Sequence, residues 1–168
     1  SWETLPEEAR TLSIAAASSL LRHFERAQDR GEKVFFPDMY TPVGVDLGFN
    51  MTQRFIAVGD NVLFREALNK LIAALVNADY LEVSLSQLHP GNLHYTLSEA
   101  GRELLGTPKE QQAQALLPVL PLLSGVYLYY LKQFYPVLLS HITVRELLPI
   151  VLSVTPAYPC LLYTSPSP

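Results

Sequence analysis

The sequence predicts a mainly α protein with a small β-hairpin, and three observations carry that prediction. Apolar residues recur at helical spacing in two long segments, two alternating runs flank a turn, and a charge-poor apolar region follows. The chain has 168 residues, of which 49% are apolar and 17% charged, which is enough to bury a core without metals or disulfides. We expect a domain over residues 1–110, an apolar helical extension over 111–155 and a disordered tail over 156–168.

The first helix is predicted over residues 6–30. Pro6 suits the first turn of a helix, and Glu7 and Glu8 complement its positive N-terminal end. Gly31 is a suitable C-terminal stop. The apolar stripe of this helix consists of Leu12, Ala16, Leu20, Phe24 and Ala27.

The next stretch, residues 33–60, mixes apolar residues with prolines and glycines, which indicates short helices or turns. Its last run, FIAVGD at 55–60, fits either a buried strand or the end of a helix. Residues 62–79 then form the clearest predicted helix, because its apolar residues fall on one face. They are Phe64, Leu68, Leu71, Ile72, Leu75 and Val76.

A β-hairpin is predicted from residues 80–85 and 93–97, in which apolar and polar residues alternate. The sequence PGN at 90–92 is typical of a turn between them. Ser98 follows as the N-cap of a short helix that ends at Gly106.

The region from 113 to 154 is predicted to form two or three apolar helices, which prolines separate. The separating residues are Pro118, Pro121, Pro136 and Pro149. Charge also falls sharply here. Residues 1–110 hold ten Lys or Arg and fifteen Asp or Glu, whereas the remainder holds Lys132, Arg145 and Glu146.

The segments ALNKLIAALVNADYLEV and HYTLSEAGRELL together resemble a winged-helix domain, over about residues 62–106. In that family a helix leads into a hairpin, whose second strand closes with a pattern Tyr-x-Leu-Ser/Thr-x-x-Gly. Here Tyr95, Leu97, Ser98 and Gly101 match it, and Asp79 stands where many relatives carry glycine. We expect Leu97 to fill the core under the wing, Ser98 to cap the last helix and Gly101 to allow close packing.

The pattern is similar to the N-terminal domain of small-molecule O-methyltransferases that use S-adenosylmethionine. That resemblance implies a non-catalytic domain that dimerises and caps the substrate pocket. It also implies that S-adenosylmethionine binds elsewhere in a full-length protein, and that this fragment holds no cofactor. The expected partners are a second copy or the catalytic domain, which would be contacted through residues 113–154.

Two other functions stay open, a winged-helix transcriptional regulator and a non-catalytic protein-interaction module. Charge disfavours nucleic acid, because residues 50–79 offer three cations, opposed by three carboxylates, and no Lys or Arg lies between Glu82 and Gly101. A membrane span is disfavoured as well. The uncharged residues 111–131 contain three glutamines and two prolines, and Lys132 ends the run.

No catalytic, cofactor-binding or metal-binding residue is assigned from the sequence. The motif GVDLGFN at 44–50 lacks the further glycines of a nucleotide-binding turn and is interpreted as a glycine-bearing loop. The candidates for a substrate pocket or an interface are aromatic residues and a histidine in the apolar region, although simple core packing is favoured for them. They are Tyr127, Tyr130, Phe134 and His141.

The single cysteine, Cys160, cannot form an internal disulfide, and the N-terminus SWETLPEEAR is unlike a signal peptide, so a cytoplasmic location is expected. The last run, CLLYTSPSP, is similar to a translated sequencing-adapter read-through, and a genuine Pro/Ser-rich tail is the alternative. On the first interpretation the native sequence ends near residues 154–158 and the chain is the front part of a larger protein.

Overall fold

The computed structural model describes residues 1–32, 34–49, 62–85 and 93–140, and side chains as far as Gln133 in the last range. The described residues are mainly α-helical and contain a small antiparallel hairpin, as the sequence predicts. The elements are α1 (Glu7–Asp29), α2 (Tyr40–Asp46), α3 (Val62–Asn77), β1 (Leu81–Leu85), β2 (Leu93–Leu97), α4 (Glu99–Leu105), α5 (Lys109–Leu116) and α6 (Leu122–Ser140). Short 3-10 helices lie at Trp2–Thr4, Phe36–Met39 and Leu117–Val119.

The core lies between α1, α3 and α6, which contact one another along their apolar faces. The predicted stripe of α1 is buried, and so is that of α3 except for the half-buried Val76. Leu116, Leu128 and Leu131 belong to the same core. The first part of the predicted apolar extension therefore packs onto the first 110 residues, whereas the domain boundary itself stays a prediction.

Helix α1 ends as its sequence indicates. Gly31 has a φ of +70°, and the amides of Gly31 and Glu32 donate to the carbonyls of Gln28 and Ala27 at 3.0 and 2.8 Å. This pair of bonds is the Schellman arrangement, which satisfies the last carbonyls of a helix. Short helical elements at Phe36–Met39 and α2 confirm the prediction for the described part of residues 33–60.

The departure at Asp79 falls on a position that favours glycine. Asp79 has a φ of +64°, and the amides of Asp79 and Tyr80 donate to Val76 and Leu75 at 3.0 and 2.9 Å. Helix α3 thus ends in the same Schellman turn, with an aspartate in the left-handed conformation. Aspartate is one of the few non-glycine residues that visit this region, so the turn forms without a glycine.

The hairpin is buried at its base and exposed toward its outer end. In the register of β1 with β2, Leu81 lies opposite Leu97 and Leu85 lies opposite Leu93. Leu81 and Leu97 are buried in the core, as predicted for Leu97, whereas Leu85 and Leu93 are exposed. Phe35 adds an isolated bridge to His94 on the free edge of β2.

Helix α4 closes the hairpin onto the end of α3. The Ser98 hydroxyl accepts a hydrogen bond from the Gly101 amide at 3.0 Å, which confirms the predicted cap. A Cβ atom on Gly101 would lie 2.3 Å from the Tyr80 carbonyl oxygen, so the predicted close packing is also confirmed. Arg102 of α4 pairs with Glu25 and Asp29 of α1 and ties the closed unit to the first helix.

One predicted helix break is wrong. Helix α6 runs from Leu122 through Pro136 to Ser140, whereas Pro118 and Pro121 do separate α5 from α6. A proline removes one backbone donor, and a helix can continue past it when the neighbouring turns keep their own hydrogen bonds. The run FIAVGD, the turn at 90–92, the break at Pro149 and the tail lie outside the described residues.

Within the described residues no single helix is long and apolar enough to cross a membrane. The segments Lys109–Val119 and Leu122–Gln133 meet the length and composition criteria only together, and they are bent by 113° at the break between them.

Candidate functional site

The aromatic candidates of α6 occupy different environments. Tyr127 is 4% exposed and packs in the core, whereas Tyr130 is half-buried with its ring 5.2 Å from that of Tyr129. Burial raises the pKa of the Tyr130 phenol, and Tyr129 adds to the effect. Phe134 lies in α6 outside the described side chains, and His141 lies outside the described residues.

Lys132 connects α6 to the end of α2. Its Nζ atom donates to the Leu47 carbonyl oxygen at 2.7 Å and lies 4.9 Å from the centre of the Phe49 ring. A cation at a helix C-terminus complements the negative end of the helix dipole, and the ring face adds a cation–π contact. The sequence reveals Lys132 only as a charge inside an apolar run, because Leu47 and Phe49 are distant in the chain.

The described residues of the motif GVDLGFN, 44–49, form the last turn of α2 and the turn after it rather than a nucleotide-binding turn. Gly44 and Asp46 lie in the helix, and Gly48 adopts a φ of +83° just after it. The interpretation as a glycine-bearing loop therefore fits residues 47–49, whereas residues 44–46 belong to the helix.

Asp46 gathers two side chains from α1. The Ser19 hydroxyl donates to Asp46 Oδ2 at 2.7 Å, and His23 Nε2 lies 2.9 Å from the same oxygen. Burial raises the pKa of the Asp46 carboxyl, but the hydrogen bonds from Ser19 and His23 outweigh burial and lower it overall. The Asp46 carboxylate lies between Ser19 and His23. A histidine must contact the serine hydroxyl to activate it as a nucleophile, so this arrangement cannot do so.

An open apolar groove lies where α3 meets the connection between α5 and α6. Ala73, Ala74 and Ala78 line it on and just after α3, with Lys70 and Asn77 beside them, and Val119, Pro121 and Leu123 complete the lining. We call it the alanine groove, and its volume is about 480 Å³. The Val119 side chain is 38% exposed, so it forms an apolar projection beside the recess that the alanines leave. The sequence signal for this surface is Ala73, which stands one helical turn from both Asn69 and Asn77 on a face that is otherwise polar.

The outer half of the hairpin is a second exposed apolar surface. Val83, Leu85 and Leu93 are all exposed, and the described strands carry no Lys or Arg. This part of the molecule offers apolar contacts rather than phosphate-neutralising cations.

Helix α3 also exposes a polar row at helical spacing. Arg65, Asn69 and Asn77 are exposed, with Ala73 between the two asparagines. Arginine and asparagine are the side chains that most often read base edges in a major groove. Lys70 adds a half-buried cation and Glu66 a half-buried carboxylate, so the row is close to neutral.

Among the described residues no group of three His, Cys, Asp or Glu side chains is placed to hold a metal ion. Comparison with protein-family models, with curated proteins and with solved structures finds no match to this chain.

Proposed function

We propose that the chain is the N-terminal dimerisation and substrate-capping domain of a methyltransferase that uses S-adenosylmethionine, and that it is not catalytic by itself. Its partners on this proposal are a second copy of the chain and a catalytic domain that supplies the cofactor site. Neither nucleic acid nor a membrane is a partner. We place the protein in the cytoplasm, where one cysteine without a disulfide framework is ordinary.

The observation that carries dimerisation is the alanine groove. Small side chains at Ala73, Ala74 and Ala78 leave a recess, and the exposed Val119 stands at its border. A two-fold axis brings each projection of such a surface into the recess of the other copy, which is how an isologous interface is made. Val119 also lies within residues 113–154, where the sequence predicts the partner surface.

The methyltransferase part of the proposal draws on the hairpin residues that carry the resemblance. Leu97 is buried, Ser98 caps α4 and Gly101 lies against the Tyr80 carbonyl. The fourth matching residue, Tyr95, has its ring 6.0 Å from that of Phe24, so each of the four has a structural task in this unit. The exposed apolar side chains of Val83, Leu85 and Leu93 suit contact with another protein domain or with an apolar substrate.

We expect the purified chain to be a dimer by sedimentation equilibrium, and Val119→Lys to weaken that dimer at least tenfold. An ammonium group placed in the recess of the other copy must be desolvated beside Lys70, a like charge that lines it, which costs more than the roughly 1.4 kcal/mol that a tenfold change needs. Circular dichroism before sedimentation checks that the variant is folded.

Val45→Lys is the matched control, because Val45 is 57% exposed on α2 and does not line the groove. It should leave the dimer unchanged. A monomeric wild-type chain, or equal weakening by both variants, would overturn the proposed interface.

The catalytic half is tested separately by reading the same gene beyond the codon for residue 155. An acidic residue and a glycine-rich cofactor motif should follow. An unrelated domain or a stop codon there would overturn the methyltransferase assignment while leaving the dimer result intact.

A winged-helix transcriptional regulator is the second candidate, and the exposed row Arg65, Asn69 and Asn77 favours it. A gel shift on mixed duplex DNA at low salt distinguishes the two functions. We expect no retarded band, because the described hairpin strands lack cations. A salt-sensitive band that Arg65→Ala weakens, but Arg26→Ala on α1 does not, would favour the regulator instead.

A further inference from the structure

A second groove, of about 440 Å³, lies between α1 and α5. The segment from α4 to the end of α5 contacts the first helix in reverse order. Arg102 pairs with Glu25 and Asp29, Gln112 meets Ser18 and Leu117 meets Trp2, so residue numbers fall on the N-terminal side as they rise along the later segment. The groove is within the size range of small-molecule pockets, and it is separate from the alanine groove.

The floor of this groove carries two buried polar side chains. The amide nitrogen of Gln112 donates to the carbonyls of Leu105 and Thr107 at 3.3 and 2.9 Å, which fixes the side chain. Ser18 is more than nine-tenths buried, and its hydroxyl lies 3.5 Å from Gln112 Oε1, the limit for a hydrogen bond. A buried hydroxyl held this loosely can turn toward a better acceptor at small cost.

Two cations border the same end of the groove. Arg22 lies one turn beyond Ser18 on α1, and Lys109 lies one turn before Gln112 on α5. Because the contacts run in reverse order, both displacements lead toward the same end of the groove. Burial raises the pKa of Asp46, the contacts with Ser19 and His23 lower it, and the charge of Arg22 lowers it further. Glu110, an exposed carboxylate, is the neighbour of Lys109 in the sequence.

The rest of the groove is mostly apolar, with Ile14 and Ala15 on α1 and Ala113 on α5. Thr11 also lines it, and its hydroxyl donates to the Glu7 carbonyl at 3.1 Å. In the reversed order of contacts these residues lie toward the end opposite the cations. The groove is therefore amphipathic along its length, with two cations, then a buried hydroxyl, then aliphatic walls.

We infer that this groove binds a small amphipathic organic anion, a monocarboxylate with a linear apolar tail. The carboxylate lies between Arg22 and Lys109 and accepts a hydrogen bond from the Ser18 hydroxyl. The tail lies along Ile14, Ala15 and Ala113. Arginine and a hydroxyl donor suit a carboxylate because it accepts several charge-assisted hydrogen bonds at once. This inference does not depend on the proposed dimer or on methyl transfer.

The test is a titration of the ¹⁵N-labelled full chain with octanoate, followed by amide shifts and by calorimetry. We expect shifts concentrated in residues 11–22 and 109–113, and saturable binding at millimolar octanoate or below. 1-Octanol, which has the tail without the charge, should bind at least tenfold more weakly. Arg22→Gln and Lys109→Gln should each weaken octanoate about tenfold.

Arg26→Gln is the matched control, because Arg26 is an exposed cation on α1 that does not line the groove. It should leave octanoate affinity unchanged. Ala113→Leu narrows the apolar end and should weaken octanoate while both cations remain. Equal affinity for octanol, equal loss with Arg26→Gln, or no saturable shifts in these residues would overturn the inference.

Discussion

Gly101→Ala should destabilise the protein by about 3 kcal/mol or more, although alanine is the better helix former. The added methyl group would lie 2.3 Å from the Tyr80 carbonyl oxygen and 2.6 Å from Leu97 Cδ1. The carbonyl cannot easily move, because it accepts the Ser98 amide at 3.1 Å. Relief requires α4 to separate from the end of α3, which disrupts the closure of the hairpin. Urea unfolding followed by circular dichroism measures the loss.

Gly106→Ala is the control for this experiment. The nearest atom to a Cβ at Gly106 is the Glu103 carbonyl oxygen at 3.4 Å, which is ordinary contact, and its φ of −78° suits any residue. We expect its free energy of unfolding to stay within about 1 kcal/mol of the wild type. Equal free energies of unfolding for the two variants would contradict the prediction that close packing at Gly101 holds the hairpin against α3.

The long helices and the hairpin could be predicted because their signals are local. The stripes of α1 and α3 repeat at helical spacing, and Leu97, Ser98 and Gly101 stand within five residues of one another. Pro136 shows the limit of such signals. Its missing donor predicts a break, but whether a helix continues depends on the hydrogen bonds and packing around it.

The polar contacts of the candidate sites could not be predicted, because they join residues far apart in the chain. Asp46 meets Ser19 and His23 only when α2 packs beside α1, and Lys132 reaches Leu47 only when α6 covers α2. The alanine groove has the same origin, since it exists only where α3 meets the segment before α6. Spacing along one helix shows a face but not the partner of that face.

Gly125 gives a further example of a contact without a local signal. A Cβ atom there would lie 2.6 Å from Trp2 Cζ3 and 2.9 Å from Ser13 Oγ, so α6 approaches α1 closely under the Trp2 ring. The Trp2 indole is held in turn by a 3.1 Å hydrogen bond to the Leu117 carbonyl. The N-terminal residues, α1 and the start of α6 therefore pack as one unit.

Leu128 lies in the part of α6 that packs in this unit, and Leu128→Ala should lower the free energy of unfolding by about 2–5 kcal/mol. Leu128 is fully buried in α6 and shares its core with α1 and α3, so the truncation leaves a cavity at the centre of the molecule. Because α6 belongs to that core, the unfolding transition should stay single. The midpoint temperature should fall by roughly 2–4 °C per kcal/mol in a chain of this size.

Leu85→Ala removes the same atoms at a position that is 65% exposed, and it should change stability by less than about 0.5 kcal/mol. Calorimetric melting of both variants distinguishes two arrangements of the apolar region, an independent extension and a part of the main core. If residues 111–155 formed an independent extension, Leu128→Ala would split the melt and leave the transition of residues 1–110 in place. A single transition displaced as a whole means that α6 completes the core of the hairpin domain, because the same cavity then destabilises every element packed around it.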